Sequence, residues 1–207
     1  MSATVTDSAI ILSRVPWREA DKRVVFFTRN HGKIDGVAVG AHKIKSKLAG
    51  HLEPLRAVDV MVAEGRQGYK IAQCMTYHNF VDVEPDISRV RCMGILVRFV
   101  KHVTEFGHSD PELYDMLFRG LALMQATEIS ELEGNFGQSL MNLAVHFGYA
   151  PTFDRCMLCR SEENLSRFSP EHGGMICTAE KVFEKTFIFN GFSPQIVVEH
   201  LKWRGLV

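Results

Sequence analysis

The chain has 207 residues, of which 46% are hydrophobic and 23% charged, a composition typical of a folded globular protein rather than a disordered one. It has no N-terminal basic stretch followed by an apolar segment and no run of about 18 uncharged apolar residues, which argues against secretion and membrane insertion and favours the cytoplasm. The net charge of zero conceals an asymmetry, because residues 1–80 carry twelve Lys and Arg against seven Asp and Glu, whereas residues 81–207 carry twelve against seventeen. A basic first part is suited to holding phosphate, which favours a nucleic-acid binder over a metabolic enzyme.

The first 80 residues predict a barrel of β-strands. Five segments are rich in Val, Ile and Phe, namely residues 8–13, 23–28, 34–40, 55–62 and 69–80. The Gly, Pro and Asn residues between them, including Pro16 and the run at 30–33, are typical of tight turns. Five short strands favour a barrel of the OB type, a fold that binds oligonucleotides through one face and its loops.

A lysine-rich segment lies between the third and fourth predicted strands. Its sequence, HKIKSKLAGHLEPL at residues 42–55, places Lys43, Lys45 and Lys47 on alternate positions. Three neighbouring ammonium groups repel one another unless an anion joins them, and the phosphates of a nucleic-acid strand are such anions. The alternative is a solvated surface loop without a ligand.

We therefore expect phosphate contacts near the barrel loops. The cationic side chains nominated for them are Lys43, Lys45, Lys47, Arg14, Arg18, Lys22, Arg23 and Lys33. Trp17 and Tyr69 lie close to basic loops and are candidates for base stacking, with burial in the barrel core as the alternative.

Beyond residue 85 the pattern becomes helical. Asp86 and Asp110, the latter followed by Pro111, are expected helix N-caps. Apolar residues recur at helical spacing further along, and Pro194 begins a last helix. Trp203 in this helix is expected to pack inward, with a partner surface as the alternative. The predicted fold class is α+β, with an N-terminal five-stranded OB-type barrel followed by a helical domain.

Three cysteines have the spacing of a metal site. Cys156, Cys159 and Cys177 follow the pattern C-x2-C-x17-C, which is similar to a zinc ribbon, where Zn²⁺ takes four ligands in a tetrahedron. Glu180 stands where a ribbon has its fourth cysteine, so that Glu180 or His172 completes the set in one interpretation. In the other, the thiols are buried without metal. One Zn²⁺ is thus a candidate cofactor, and no organic cofactor is expected.

Taken together, these segments resemble the bacterial RecO family of recombinational DNA-repair proteins. The resemblance rests on KSKLAGHLEPL at residues 45–55, on FGYAP at 147–151 leading into DRCMLC at 154–159, and on FSP at 168–170 before GGMIC at 173–177. It implies an OB domain at residues 1–80, a helical domain at 81–153 and 183–207, and a zinc-ribbon-like insertion at 154–182. Glu180 replaces the family's fourth cysteine.

The resemblance also implies a function. Family members are not enzymes, and no catalytic residue is nominated here. They bind single- and double-stranded DNA, anneal complementary strands, and act with RecR to replace single-strand-binding protein with RecA, which implies a cytoplasmic, nucleoid-associated location. The family's helical domain receives the acidic, apolar C-terminal tail of single-strand-binding protein, for which we nominate Arg98, Lys101 and His102 on one predicted helix face.

Two other classes of function are considered. A metal-dependent hydrolase would use His51, Glu53, His78 and Asp82, but these residues form no closely spaced ligand motif such as HExxH. An OB-fold RNA-binding or protein-docking adaptor without annealing activity is the remaining alternative.

Overall fold

The computed structural model describes residues 4–41, 43, 46–65, 68–81, 86–180, 186–188 and 194–207. The chain forms two compact units, Met1–Ala126 and Thr127–Val207. The first contains a barrel and two helices, and the second contains two helices and a small sheet. Within the described ranges, none of the helices has the length and apolar character needed to span a bilayer.

The barrel has the five strands that the sequence predicts. They are β1 (Thr4–Trp17), β2 (Asp21–Thr28), β3 (Gly32–Ala38), β4 (Arg56–Gly65) and β5 (Gly68–Asn79). They close in the order β1-β2-β3-β5-β4, and every pairing is antiparallel except the short parallel one between β3 and β5. The fold class is confirmed as α+β with an N-terminal five-stranded barrel.

The barrel interior is filled by alternate side chains of the strands. Val24 and Phe26 on β2 and Val58 on β4 point inward and have no exposed surface. Ala41 and Leu52, from the connection between β3 and β4, are buried in the same core. The lysine-rich segment is therefore anchored at both ends by apolar side chains.

Pro16 does not form the predicted turn but lies in β1, opposite Lys22 of β2. Strand β1 pairs with β4 only through Thr4 to Ile10, so the stretch around Pro16 has β2 as its single strand neighbour among the described residues. Proline has no backbone N–H to donate and is tolerated where one side of a strand is unpaired.

Two helices complete the first unit, α1 (Ile87–Val103) and α2 (Pro111–Ala126). The Asp86 carboxylate accepts the Arg89 N–H at 3.0 Å and the Asp110 carboxylate accepts the Leu113 N–H at 2.9 Å, confirming both predicted caps. Tyr114 of α2 packs on Phe27 of β2 with ring centroids 6.4 Å apart. Both helices thus belong to the same compact unit as the barrel, and the domain ranges given above stay a prediction.

The second unit contains α3 (Leu132–His146), a sheet of β6 (Thr152–Cys156), β7 (Leu165–Ser169), β8 (Gly174–Cys177) and β9 (Phe187–Ile188), and α4 (Pro194–Trp203). The sheet order is β6-β8-β7-β9. Phe168, Met175 and Ile196 pack sheet and α4 together. Trp203 is 59% exposed, so the expectation that it packs inward is wrong.

Candidate nucleic-acid interface and metal centre

The lysine-rich segment presents cations at the surface while its apolar residues hold it to the barrel. Lys43 and Lys47 are exposed, and neither meets a carboxylate among the described residues. Lys45, the third predicted phosphate contact of this segment, lies outside the described residues. The two described lysines are therefore available to an external anion.

The hairpin between β1 and β2 lies beside this segment. Its turn begins at Arg18, an exposed arginine with a φ of 56°. Across the hairpin, Asp21 pairs with Trp17, and its carboxylate accepts the Gly40 N–H at 2.8 Å. The Lys43 N–H in turn donates to the Gly40 carbonyl at 3.0 Å. These contacts bring Arg18, Trp17 and Lys43 to one end of the barrel.

Three of the nominated cations are paired with carboxylates instead. Arg14 Nε lies 2.7 Å from Glu53, and Lys22 Nζ lies 3.7 Å from the other oxygen of the same carboxylate. Arg23 Nε donates to both oxygens of Asp35 at 2.9 and 2.7 Å. A cation held this way adds little net positive charge to the surface, so the positions of Arg14, Lys22 and Arg23 do not favour phosphate contacts.

Lys33 is buried rather than presented to solvent. Its ammonium donates to the backbone carbonyls of Lys101 and Thr104 at the end of α1, and burial lowers its pKa. It also lies 4.7 Å from the centre of the Phe106 ring. This geometry gives Lys33 a structural role. Tyr69 packs against the barrel core, which agrees with the alternative to base stacking.

Trp17, by contrast, remains accessible. Its side chain is 39% exposed, and the Arg23 guanidinium lies over its ring, 5.1 Å from the centroid. The candidate nucleic-acid interface therefore consists of Trp17, Arg18 and Lys43 at this end of the barrel, together with the exposed Lys47 of the lysine-rich segment.

A cavity of about 300 Å³ lies between the barrel and α1. The three residues nominated for partner binding, Arg98, Lys101 and His102, line it. Apolar side chains of β1, of α1 and of the connection before β4 also line it, namely Leu12, Val90, Val97, Pro54 and Leu55. Its volume is at the small end of ligand pockets. The lining of the cavity therefore combines cationic groups with apolar side chains.

The three cysteines of the second unit converge. Cys156 ends β6, Cys159 follows in the next turn, and Cys177 ends β8, the parallel neighbour of β6. Their Sγ atoms all lie within 4.8 Å of one another, and Cys159 Sγ is 3.6 Å from Cys177 Sγ. A tetrahedral Zn²⁺ with Zn–S bonds of about 2.3 Å places its sulfur ligands about 3.8 Å apart. The cluster fits three of the four ligands of zinc.

The environment of Cys156 favours the thiolate that a metal requires. Burial opposes ionisation of its thiol, but N–H groups from the backbone of Cys159, Cys177 and Leu158 outweigh burial and lower its pKa to about 7. A thiol with such a pKa loses its proton to an incoming cation readily at neutral pH.

The nominated fourth ligand is not drawn into the cluster. The Glu180 carboxylate is absent from the group of described ligand atoms that lie within 4.8 Å of one another, although the Glu180 N–H lies 3.4 Å from the Cys177 carbonyl. The His172 ring lies 3.0 Å from the Ser169 hydroxyl. Glu180 therefore stays a prediction as a ligand.

The residues considered for a hydrolase bond to separate partners. His51 contacts Thr76, Glu53 pairs with Arg14, and His78 contacts Gln125. Asp82 lies outside the described residues. The one group of ligand atoms that the described part of the chain brings together is the cysteine cluster.

Comparison with known proteins identifies the family to which this chain belongs. Residues 1–80 match the family model described as Recombination protein O N terminal, and residues 84–185 match Recombination protein O C terminal. The chain belongs to the RecO family. It is 31% identical over 174 residues to the DNA repair protein RecO of Alkaliphilus metalliredigens, covering 84% of this chain and 70% of that protein. For the DNA repair protein RecO of a Nocardioides strain, the identity is 33% over 181 residues, with 85% and 74% covered. Membership in the family supports a role in DNA repair.

Sequence reasoning missed two carboxylates that shape the interface of this RecO-family chain. The sequence suggests Glu53 only as a ligand of a hydrolase, yet its carboxylate pairs with Arg14 and Lys22. Asp35 belongs to no motif of the sequence, yet its carboxylate accepts hydrogen bonds from Arg23. A signal for the second pair was present, because a hairpin turning at residues 29–31 sets Arg23 opposite Val37 and therefore diagonal to Asp35.

Proposed function

We propose that the chain is a non-enzymatic recombination mediator that binds single- and double-stranded DNA and anneals complementary strands. Acting with RecR, it helps load RecA onto DNA coated by single-strand-binding protein. The observation that carries the proposal is that the exposed cations Arg18 and Lys43 lie at the same end of the barrel as the exposed Trp17, with the exposed Lys47 further along the same lysine-rich segment.

The mechanism is electrostatic. Two complementary strands repel each other through their phosphates, and cations that contact the phosphates of both strands lower this repulsion. Contacts to phosphate leave the base edges free, so base pairing itself supplies the sequence specificity. Such a mechanism needs accessible cations on an ordered surface and requires no group that makes or breaks covalent bonds.

The cavity beside α1 supports a proposal for partner binding. An acidic, apolar peptide end needs a cation for its carboxylates and a pocket for its side chain, and Arg98 and Lys101 line an apolar cavity of about 300 Å³. We therefore assign the tail of single-strand-binding protein to this cavity.

Calorimetry with the tail peptide tests this assignment. The variant Arg98→Ala, Lys101→Ala should bind the peptide at least tenfold more weakly than the parent, because each charge-assisted contact contributes about 1.5–3 kcal/mol. Arg91→Ala removes an exposed arginine of α1 that does not line the cavity, and it is expected to leave binding unchanged. Equal binding by the double variant and the parent would remove the tail from this site.

The cysteine cluster supports one structural zinc ion. Bound there, Zn²⁺ would cross-link the turn after β6 to the end of β8 through Cys156, Cys159 and Cys177. Metal analysis of protein purified without chelator should find about one zinc per chain. Cys177→Ser should lose the metal and lower the melting temperature, and a parent protein without metal would argue for the metal-free interpretation.

Strand annealing is the test of the proposal as a whole. Complementary oligonucleotides carrying a fluorescence donor and acceptor, each coated with single-strand-binding protein, should anneal faster when the chain is present. Lys43→Ala, Lys47→Ala should reduce this acceleration without loss of fold. Unlabelled RNA as competitor and intact oligonucleotide length afterwards distinguish the RNA-binding adaptor and the hydrolase. Binding without any acceleration would favour the adaptor.

A further inference from the structure

The outer face of β1, β2 and β3 carries a stripe of side chains that the phosphate-binding mechanism does not use. The strand register sets Val15 opposite Arg23 and Arg23 opposite Val37, so these three side chains point to the same side. Trp17 follows Val15 by two residues and therefore points the same way. Val15 is 50% exposed and Trp17 is 39% exposed, so both reach solvent.

Arg23 is held in place as the support of the indole. Its Nε donates to both oxygens of Asp35 at 2.9 and 2.7 Å, while its guanidinium lies 5.1 Å from the centroid of the Trp17 ring. An arginine fixed between a carboxylate and a ring is ordered and largely neutralised, so it serves a stacking arrangement better than it serves a phosphate. Among the described residues, no second ring or cation covers Trp17.

We propose that Trp17, Arg23 and Asp35 form a platform on which one unpaired base of single-stranded DNA stacks. The inference rests on the proposed function and deepens it. The platform selects single strands, because the bases of a duplex are already stacked within the helix and cannot reach a ring on the barrel surface. Arg18 and Lys43 lie beside the platform and contact the phosphates of the nucleotide whose base it holds.

Asp35 acts as a positioning residue in this arrangement. It does not contact the base but fixes the guanidinium under the indole. Asp35→Asn should weaken binding of single strands at 200 mM salt by about threefold, because the cation–π support is lost. The same change frees Arg23 for phosphate, so the slope of log affinity against log salt should steepen by about 0.7. If Asp35 only neutralised Arg23, the slope would steepen without the threefold loss of affinity at 200 mM salt.

Trp17 itself provides the direct readout. The chain has two tryptophans, so in a Trp203→Phe background Trp17 is the single indole. Titration with an oligo-dT strand should quench its emission along the same isotherm that fluorescence anisotropy of the labelled strand reports, whereas a duplex should bind without comparable quenching. Trp17→Ala should weaken single-strand binding by about tenfold and duplex binding by less than twofold.

Two control variants distinguish a loss of stacking from a general loss of structure or charge. Trp17→Phe retains a ring and should recover most of the single-strand affinity that Trp17→Ala loses. Asp59→Asn changes an exposed aspartate on β4 in the same way as Asp35→Asn and should alter neither affinity nor slope.

The outcomes separate the inference from the proposed function. Single-strand binding with unchanged Trp17 emission, or an equal loss of single-strand and duplex affinity in Trp17→Ala, would overturn the platform while leaving the proposed function intact. Absence of binding to either form of DNA at low salt would overturn both.

Discussion

Replacing Lys43 and Lys47 together with alanine should change the salt dependence of DNA binding more than it changes any other property. Of the eight nominated cations, four are paired or buried and Lys45 lies outside the described residues, which leaves three described and accessible cations. For single strands each phosphate contact contributes about −0.7 to the slope of log affinity against log salt, so these three account for about −2.1. A slope of that size corresponds to a loss of about 20-fold in affinity between 50 and 200 mM salt.

The double variant should flatten the slope by about 1.4, because it removes two contacts. The one described cation that remains, Arg18, then accounts for a loss of only about threefold in affinity over the same salt range. Anisotropy of a labelled oligo-dT strand, measured at four salt concentrations, gives the slope directly. A matched control, Arg155→Ala with Lys202→Ala, removes the same charge from two exposed ion pairs of the second unit and should leave the slope unchanged. Equal slopes for parent and double variant, or equal flattening in the control, would refute the reasoning.

Three further variants test individual contacts. Glu53→Gln removes the carboxylate that neutralises Arg14 and should steepen the salt slope by about 0.7; an unchanged slope would show that Arg14 cannot reach the strand. Asp7 is buried, which opposes its ionisation, but hydrogen bonds from His31 and Asn30 hold its pKa below 3.8. Its ionised form therefore stabilises the fold at neutral pH, and the contribution is lost only as the pH falls through the lowered pKa, so Asp7→Asn should cost about 1–3 kcal/mol by urea unfolding at pH 7 and progressively less in strong acid. Arg160 has a φ of 66°, so Arg160→Gly should relieve about 1 kcal/mol and raise the melting temperature by about 2–4 °C, whereas a lower value would contradict the strain.

The barrel strands could be predicted from the sequence because strands and turns are marked by residues that are close together in the chain. Val, Ile and Phe segments separated by Gly, Pro and Asn mark five strands in the first 80 residues, and the barrel contains five. The extent of β1 could not be predicted in this way, because a proline within a sequence usually indicates a turn. Only the strand pairing shows that Pro16 lies where one side of β1 is unpaired among the described residues. The caps at Asp86 and Asp110 were predictable for the same reason as the strands, since a cap bonds to a residue three positions away.

The candidate interface was predictable in residue type but not in pairing. A sequence identifies cations, whereas their availability depends on contacts between residues distant in the chain. Glu53 meets Arg14 across 39 positions, and Lys33 reaches the Lys101 carbonyl across 68. Burial is equally hard to predict from the sequence. An aromatic residue in a helical pattern is expected to be buried, whereas Trp203 is 59% exposed.

The most direct test of the account is to locate bound DNA on the chain. A single-stranded oligonucleotide containing iododeoxyuridine, cross-linked by light to the protein at low salt and analysed by mass spectrometry, identifies the contacted peptides. The account predicts cross-links within residues 15–23 and 43–52, with competition by unlabelled single strands. Cross-links confined to the unit Thr127–Val207 would contradict it.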